Sequence, residues 1–199
     1  EGILVQGPRS GNEHLVMDAC HLPDADSGPA GADVAHGGTG HRAACAHIAY
    51  RYAASHGPVG AEDLARWTTL PKMQAARALE DAVELGQEPA TAAPEGTGEP
   101  AGSRVPLVRA VVEGGARGGL RPLGPGESAP KTGLLYMRAD LPDLLSAHRG
   151  AAQATHFLGS FDELHVGYKD RSCLTDDDGE RLICPASNGM FRPILVDRG

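Results

Sequence analysis

Positive charge is in short supply in this 199-residue chain. Eighteen Lys and Arg stand against 26 Asp and Glu, for a formal net charge of −8. No segment carries a basic excess: residues 1–86 carry −5, residues 87–133 balance, and residues 134–199 carry −3. Attraction to a polyanion through overall charge is thereby excluded; binding through one locally positive face is not. Aromatics are scarce too, at three Phe, four Tyr and one Trp, so a core must rest on Leu, Val and Ala with a few aromatic anchors. No apolar run approaches the ~18 residues that a spanning helix needs, and no signal-peptide pattern is present. The four cysteines, Cys20, Cys45, Cys173 and Cys184, make no Cys-x-x-Cys pair. That fits a reducing cytoplasm better than a disulfide scaffold. A Gly-x-Ser-x-Gly elbow and a Walker phosphate loop are both missing.

Gly and Pro are abundant, at 27 and 15 residues, which predicts substantial irregular structure. The length suits one ordinary domain or two small ones. Gly2–Pro8 reads as a strand running into a turn. Pro193–Gly199 reads as the first arm of a hairpin with its turn. Both ends therefore look cut, and the expectation is a piece of a longer protein.

The 20–41 stretch is loop-like, and residues 1–42 are read as a strand plus an irregular segment. A helix is predicted from Ala43 to Ser55, with Cys45, Ile48, Ala49 and Tyr52 on one face. His56-Gly57-Pro58 stops it. A short helix follows from Ala61 to Thr68. Glu62 and Asp63 suit its first turn, and Leu64, Ala65 and Trp67 face inward. Thr69-Leu70 turns the chain, and Pro71 starts a third helix running to Leu85. Its apolar side is Ala76, Leu79 and Val83, and Gly86 serves as C′ residue.

Helix, short helix, tight turn, helix is the outline of a helix-turn-helix, and a winged-helix domain would add two strands. The pattern is interrupted at 87–133, where 17 of 47 residues are Gly or Pro, as expected of a flexible insertion. Val105–Val112 is one strand candidate within it, and Gly133–Arg138 another beyond it, leading into a short helix over Leu141–His148. The winged-helix domain is thus expected over 43–150. A β-rich module is expected over 151–199, with strands at Phe157–Leu158, Leu164–Tyr168, Arg181–Cys184 and Pro193–Val196. The fold class predicted is α+β.

A helix-turn-helix of this kind would lay Lys72, Gln74 and Arg77 against base edges and phosphates. The same helix carries Glu80, Asp81 and Glu84, which would repel phosphate. The alternation Tyr168-Lys169-Asp170-Arg171-Ser172 is strand-like and would put Lys169 and Arg171 on one face, with Arg192 adding to it. Exposed ion pairing among these residues is the plainer reading. Asn188-Gly189 supplies a turn and Phe191 a core anchor. His14, Cys20, His21, His36, His41, Cys45 and His47 are zinc-type ligands. The loop between them is long and no compact pair recurs, so no metal site is expected. Asp176–Glu180 lacks the alternating spacing of a calcium loop and reads as a solvated acidic turn.

Several motifs occur in order along the chain. They are Gly7-Pro-Arg9; His56-Gly-Pro58 with Glu62-Asp-Leu-Ala-Arg-Trp67; Leu70-Pro71 and Ala76-Arg77; Phe161-Asp-Glu163 with Gly167-Tyr-Lys-Asp-Arg-Ser172; and Asn188-Gly-Met-Phe-Arg-Pro193. In this order the chain resembles the bacterial winged helix DNA-binding domain family, which includes the AlkZ/YcaQ-type DNA glycosylases. The resemblance covers most of the chain outside 20–41 and 87–133, and the two C-terminal blocks are its specific part. It implies tandem winged helices, a β-rich C-terminal part and double-stranded DNA, alkylated or crosslinked, as partner. It also implies hydrolysis of an N-glycosidic bond without metal or organic cofactor. One departure is plain. The family's glycosylases carry a Gln-x-Gln or Gln-x-Asp pair that positions water, whereas Gln6, Gln74, Gln87 and Gln153 stand alone here. No catalytic residue is assigned; that pair is expected in an upstream segment. The DNA contacts expected are Lys72, Gln74, Arg77, Lys169, Arg171 and Arg192. The alternative is a non-catalytic interaction scaffold or transcription regulator on the same fold, which the acidic balance favours.

Overall fold

The computed structural model describes residues 4–10, 13–18, 39–87, 104–114, 119–124 and 126–198. Strands β1 (Leu4–Ser10) and β2 (Glu13–Asp18) form an antiparallel hairpin. The expected strand thus runs past Pro8, and its return strand was not foreseen. The register shifts between Gln6 and Arg9, around a proline that has no amide hydrogen for the ladder. The rest of the 20–41 loop lies outside the described residues up to Thr39.

Helix α1 (Thr39–His56) starts one turn before the expected Ala43. It buries Ala46, Ala49, Tyr50, Tyr52 and Ala53, while Ile48 is exposed. The buried stripe thus keeps Ala49 and Tyr52 of the predicted face but is rotated away from Ile48 toward Ala46, Tyr50 and Ala53. The Tyr50 hydroxyl also donates to the Val105 carbonyl at 3.2 Å. Gly57 ends the helix where two backbones nearly touch. A Cβ there would lie 2.5 Å from the Ala53 oxygen and 2.9 Å from Met137 Cα, so only glycine fits.

Val59 then makes a two-way backbone bridge to Tyr136, at 3.0 and 2.8 Å. Helix α2 (Ala61–Thr68) follows, then a turn with Thr69 at φ 62°, then α3 (Lys72–Gln87). Both helices sit where the periodicity puts them, but Trp67, expected to face inward, is exposed with its ring against Tyr52, and Gly86, expected beyond the helix end, lies within α3. The core packs Ala49 and Tyr52 of α1, Val59, Leu64 of α2, and Ala75, Ala78, Leu79, Ala82 and Val83 of α3 against Leu107 and Tyr136.

Strands β3 (Leu107–Glu113), β4 (Gly119–Pro122) and β5 (Leu135–Arg138) make an antiparallel sheet in the order β4-β3-β5. The 87–133 stretch therefore holds two strands rather than one. Gly119–Pro122 is too short and too polar to signal itself. It pairs antiparallel with β3 over Ala110–Glu113, and Arg121 reaches across to Glu113 and onward to Glu127, at 2.5 and 2.7 Å.

Short helices α4 (Leu141–Ala147) and α5 (Arg149–Ala152) lead to β6 (Thr155–Leu158), α6 (Glu163–Val166), α7 (Asp177–Ile183) and β7 (Ile194–Asp197). Strands β6 and β7 pair antiparallel. Two expected strands are helices instead. Leu164–Tyr168 starts as α6 because the Asp162 carboxylate accepts the Leu164 amide at 3.0 Å. Arg181–Cys184 ends α7, whose first turn is the acidic run, with Asp176 accepting the Gly179 amide at 2.8 Å. These caps bend apolar runs too short to settle their own period into helical turns. The C-terminal region is thus mixed rather than β-rich. The α+β class holds. Among the described residues no helix is long and apolar enough to cross a membrane.

Candidate nucleic-acid interface

Helix α3 separates its residues by face. Ala75, Ala78, Leu79, Ala82 and Val83 are buried; Lys72, Met73, Gln74 and Arg77 are exposed. The acids that threatened this face are largely spent. Asp81 takes both ends of the Arg42 guanidinium, at 2.6 Å each. Arg42 holds its carboxyl below the usual range, and its side chain is only 14% exposed. Glu80 pairs with Arg109 and accepts the Tyr136 hydroxyl at 2.6 Å. Burial pushes the Glu80 carboxyl up, but these two donors outweigh it and leave it low. Only Glu84 of the three remains exposed. The expected repulsion therefore shrinks to one residue, since both pairs lie toward α1 and β3.

A second set of residues arrives from the C-terminal motif. The Asp63 carboxylate is its organiser. One oxygen accepts the Gly60 amide at 2.8 Å, at the start of α2. The other accepts the Lys169 amide at 2.7 Å and the Asp170 amide at 3.4 Å. Nearby, the Tyr52 hydroxyl donates to the Gly167 carbonyl and Tyr168 donates to the His56 carbonyl at 2.8 Å. Burial pushes both phenols up, so they remain donors. Tyr52 stacks on His56 at 4.8 Å and lies 5.0 Å from Trp67. His56-Gly-Pro, Glu62–Trp67 and Gly167–Ser172 thus meet in one aromatic knot.

The knot carries Lys169 to the start of α2. There Glu62 is ion-paired with Lys72 of α3. The Lys72 side chain and the Lys169 backbone, far apart in sequence, are therefore both tied to the first turn of α2, through Glu62 and Asp63; Gln74 and Arg77 are exposed further along α3. Tyr168–Ser172 is not a strand; it is a bent segment whose amides at 169 and 170 belong to Asp63. Lys169 and Arg171 still line one open groove, with Asp170, Ser172 and Asp176. Arg171 is engaged there by Glu180, at 3.1 and 3.0 Å, and Glu180 also holds buried His165 at 2.9 Å. Arg192 is exposed and lines a different cavity, with His165, Cys173 and Ile194. Its amide bonds the Ile183 carbonyl at 2.9 Å.

Asp63, Glu62, Arg42 and Arg109 were not picked out as functional by sequence reasoning. The Glu-Asp pair in the Glu62–Trp67 motif was the available signal, and helix capping accounted for it.

Ser55, His56 and Glu163 stand in line, with Ser55 Oγ 2.8 Å from His56 Nδ1 and His56 Nε2 3.6 Å from Glu163. Ser55 Oγ also lies 2.7 Å from the Arg51 carbonyl. Its proton goes to that carbonyl, so this is helix-end packing rather than an activated nucleophile. His41 Nε2 lies 3.5 Å from Cys45 Sγ; Cys20, His21 and His36 lie outside the described residues. Among the described residues no group of three or more His, Cys, Asp or Glu is placed to hold a metal.

No curated protein matches the chain, and no solved structure does. Residues 1–198 match the family described as DNA glycosylase AlkZ-like, and the chain belongs to that family.

Proposed function

We propose that this chain is a DNA-binding part of a repair glycosylase, built on a winged helix over residues 43–150 and followed by a C-terminal module over 151–199. The winged-helix reading is supported by element order. Val59 between α1 and α2 bridges to β5, β5 pairs with β3, and β3 follows α3. In this reading α3 enters the major groove, with Gln74 and Arg77 at base edges and Lys72 at a phosphate. Lys169 grips a second phosphate. Arg171 and Arg192 complete the contact set, Arg171 by aligning the groove wall through Glu180.

The observation that carries the reading is the Asp63 bond to the Lys169 amide, which spans 106 residues of sequence. It ties the Lys169 backbone to the start of α2, next to the residue that pairs with Lys72, in a protein that is acidic overall. The same acidity favours the scaffold alternative, but the pairing of Glu80 and Asp81 away from the exposed side of α3 removes much of its force.

The reaction is hydrolysis of the N-glycosidic bond of an alkylated or crosslinked base in double-stranded DNA. A cationic purine leaves readily, so catalysis is mainly positioning of water and stabilisation of an oxocarbenium-like sugar. That chemistry needs neither metal nor organic cofactor. The water-positioning glutamine pair lies outside residues 1–199 in this reading, and the work takes place in the cytoplasm, on the nucleoid.

A gel-shift titration of duplex DNA at two salt concentrations tests the binding. Affinity should fall steeply with salt, roughly in proportion to the phosphates contacted. No binding at low salt, or binding indifferent to salt, defeats the reading. Base release from alkylated DNA by this chain alone would defeat its catalytic half.

A further inference from the structure

Two neighbouring acids at the start of α2 are used in opposite ways. Asp63 is structural: its oxygens accept amides of Gly60, Lys169 and Asp170. Glu62 caps nothing. Its ion pair is with the Lys72 ammonium, across the α2–α3 turn. The two side chains are 58% and 67% exposed, and exposed pairs of this sort add little to stability. The pair is therefore free to open at small cost to the fold.

Its surroundings give it a role. Lys169 is fixed by its own amide to the residue next to Glu62. The Glu62 carboxyl is held below the usual range by Lys72 first, and the Lys169 charge adds to it. Glu62 is thus ion-paired with Lys72 and adjacent in sequence to the carboxylate that holds the Lys169 backbone. The acids of α3 are unlike it. Asp81 is largely buried against Arg42, and Glu80 is tied to both Arg109 and Tyr136.

We propose that Glu62 is an intramolecular counter-anion, displaced by a DNA phosphate that then bridges Lys72 and Lys169. The proposal rests on the reading of this surface as the DNA interface. Glu62 becomes a selectivity residue for the bound state. It weakens casual contact with any polyanion, and it yields when α3 is seated and a phosphate is held in place.

The test is fluorescence anisotropy with a short labelled duplex, using wild type, Glu62→Gln, Lys72→Ala, Glu62→Gln with Lys72→Ala, and Glu84→Gln. Circular dichroism melts confirm that each is folded. Glu62→Gln should bind about two- to fivefold tighter, the span of an exposed ion pair. The gain should vanish when Lys72 is also removed. Glu84→Gln makes the same change in net charge away from the lysines and should gain less. Equal gains from the two Gln variants would mean general electrostatics and would overturn the proposal. So would Glu62→Gln binding no tighter than wild type while Lys72→Ala still binds worse; that result leaves the interface reading standing. If no variant binds at low salt, interface and proposal fall together.

Discussion

Replacing Asp63 by Asn keeps the shape of the side chain and removes half of its accepting power. Both carboxylate oxygens face N–H donors: one meets Gly60 at 2.8 Å, the other Lys169 at 2.7 Å. Asn has one acceptor oxygen, so its NH2 must confront one of these amides. A hydrogen bond to a charged group contributes about 1.5–3 kcal/mol, and an amide left without its partner adds a further cost. Asp63 is half-buried, which screens the interaction. Asp63→Asn should therefore cost about 1.5–3 kcal/mol, and Asp63→Ala about as much. That is a large share of an ordinary domain's stability. Urea unfolding followed by far-ultraviolet circular dichroism measures it. Hydrogen exchange at the Lys169 amide locates it, since that amide should lose protection in both variants. DNA affinity should also fall, and adding Lys169→Ala to Asp63→Ala should weaken binding little further, because both act through one contact. The reasoning fails if Asp63→Asn stays within about 0.5 kcal/mol of wild type, the range of an ordinary surface change, with Lys169 exchange unaltered.

Leu79 is fully buried on α3 within the Ala-rich core, so Leu79→Ala should cost about 2–5 kcal/mol in urea unfolding; a loss below about 1 kcal/mol would mean that the helices do not pack there. Glu180 gives a pH signature. Burial pushes its carboxyl up, but Arg171 and His165 outweigh this and hold it low. Its stabilisation is present above the unfolded carboxylate value, about 4.3, and is lost as pH falls through the lower folded value. Wild type should be more stable than Glu180→Gln near neutrality, and the melting curves should converge in acid. A gap that stays constant on acidification would exclude the ion pairs as its source.

Much of the helical architecture was legible locally. The 61–68 and 72–87 helices announce themselves by spacing, by Pro71, and by acids in the first turn of α2. The C-terminal apolar runs were not legible, because a run of four or five residues satisfies either period; Asp162 and Asp176 decide the matter by capping. Strand β4 was hidden for a related reason, since four residues carry no period of their own and the ladder to β3 is a pairing between distant segments.

The candidate site divides the same way. The family motifs, the helix-turn-helix outline and the identities of Lys72, Gln74, Arg77 and Lys169 follow from the order of residues alone, because spacing and side-chain type are local properties. Which acids of α3 are left without a cationic partner does not. Glu80, Asp81 and Glu84 look alike on a helix face, yet Arg109 and Arg42 spend two of them from other elements. The joining of Lys169 to the start of α2 is likewise a long-range event, made by one carboxylate of Asp63. The strength of an ion pair or a hydrogen bond depends on distance and burial, and only the tertiary structure supplies those.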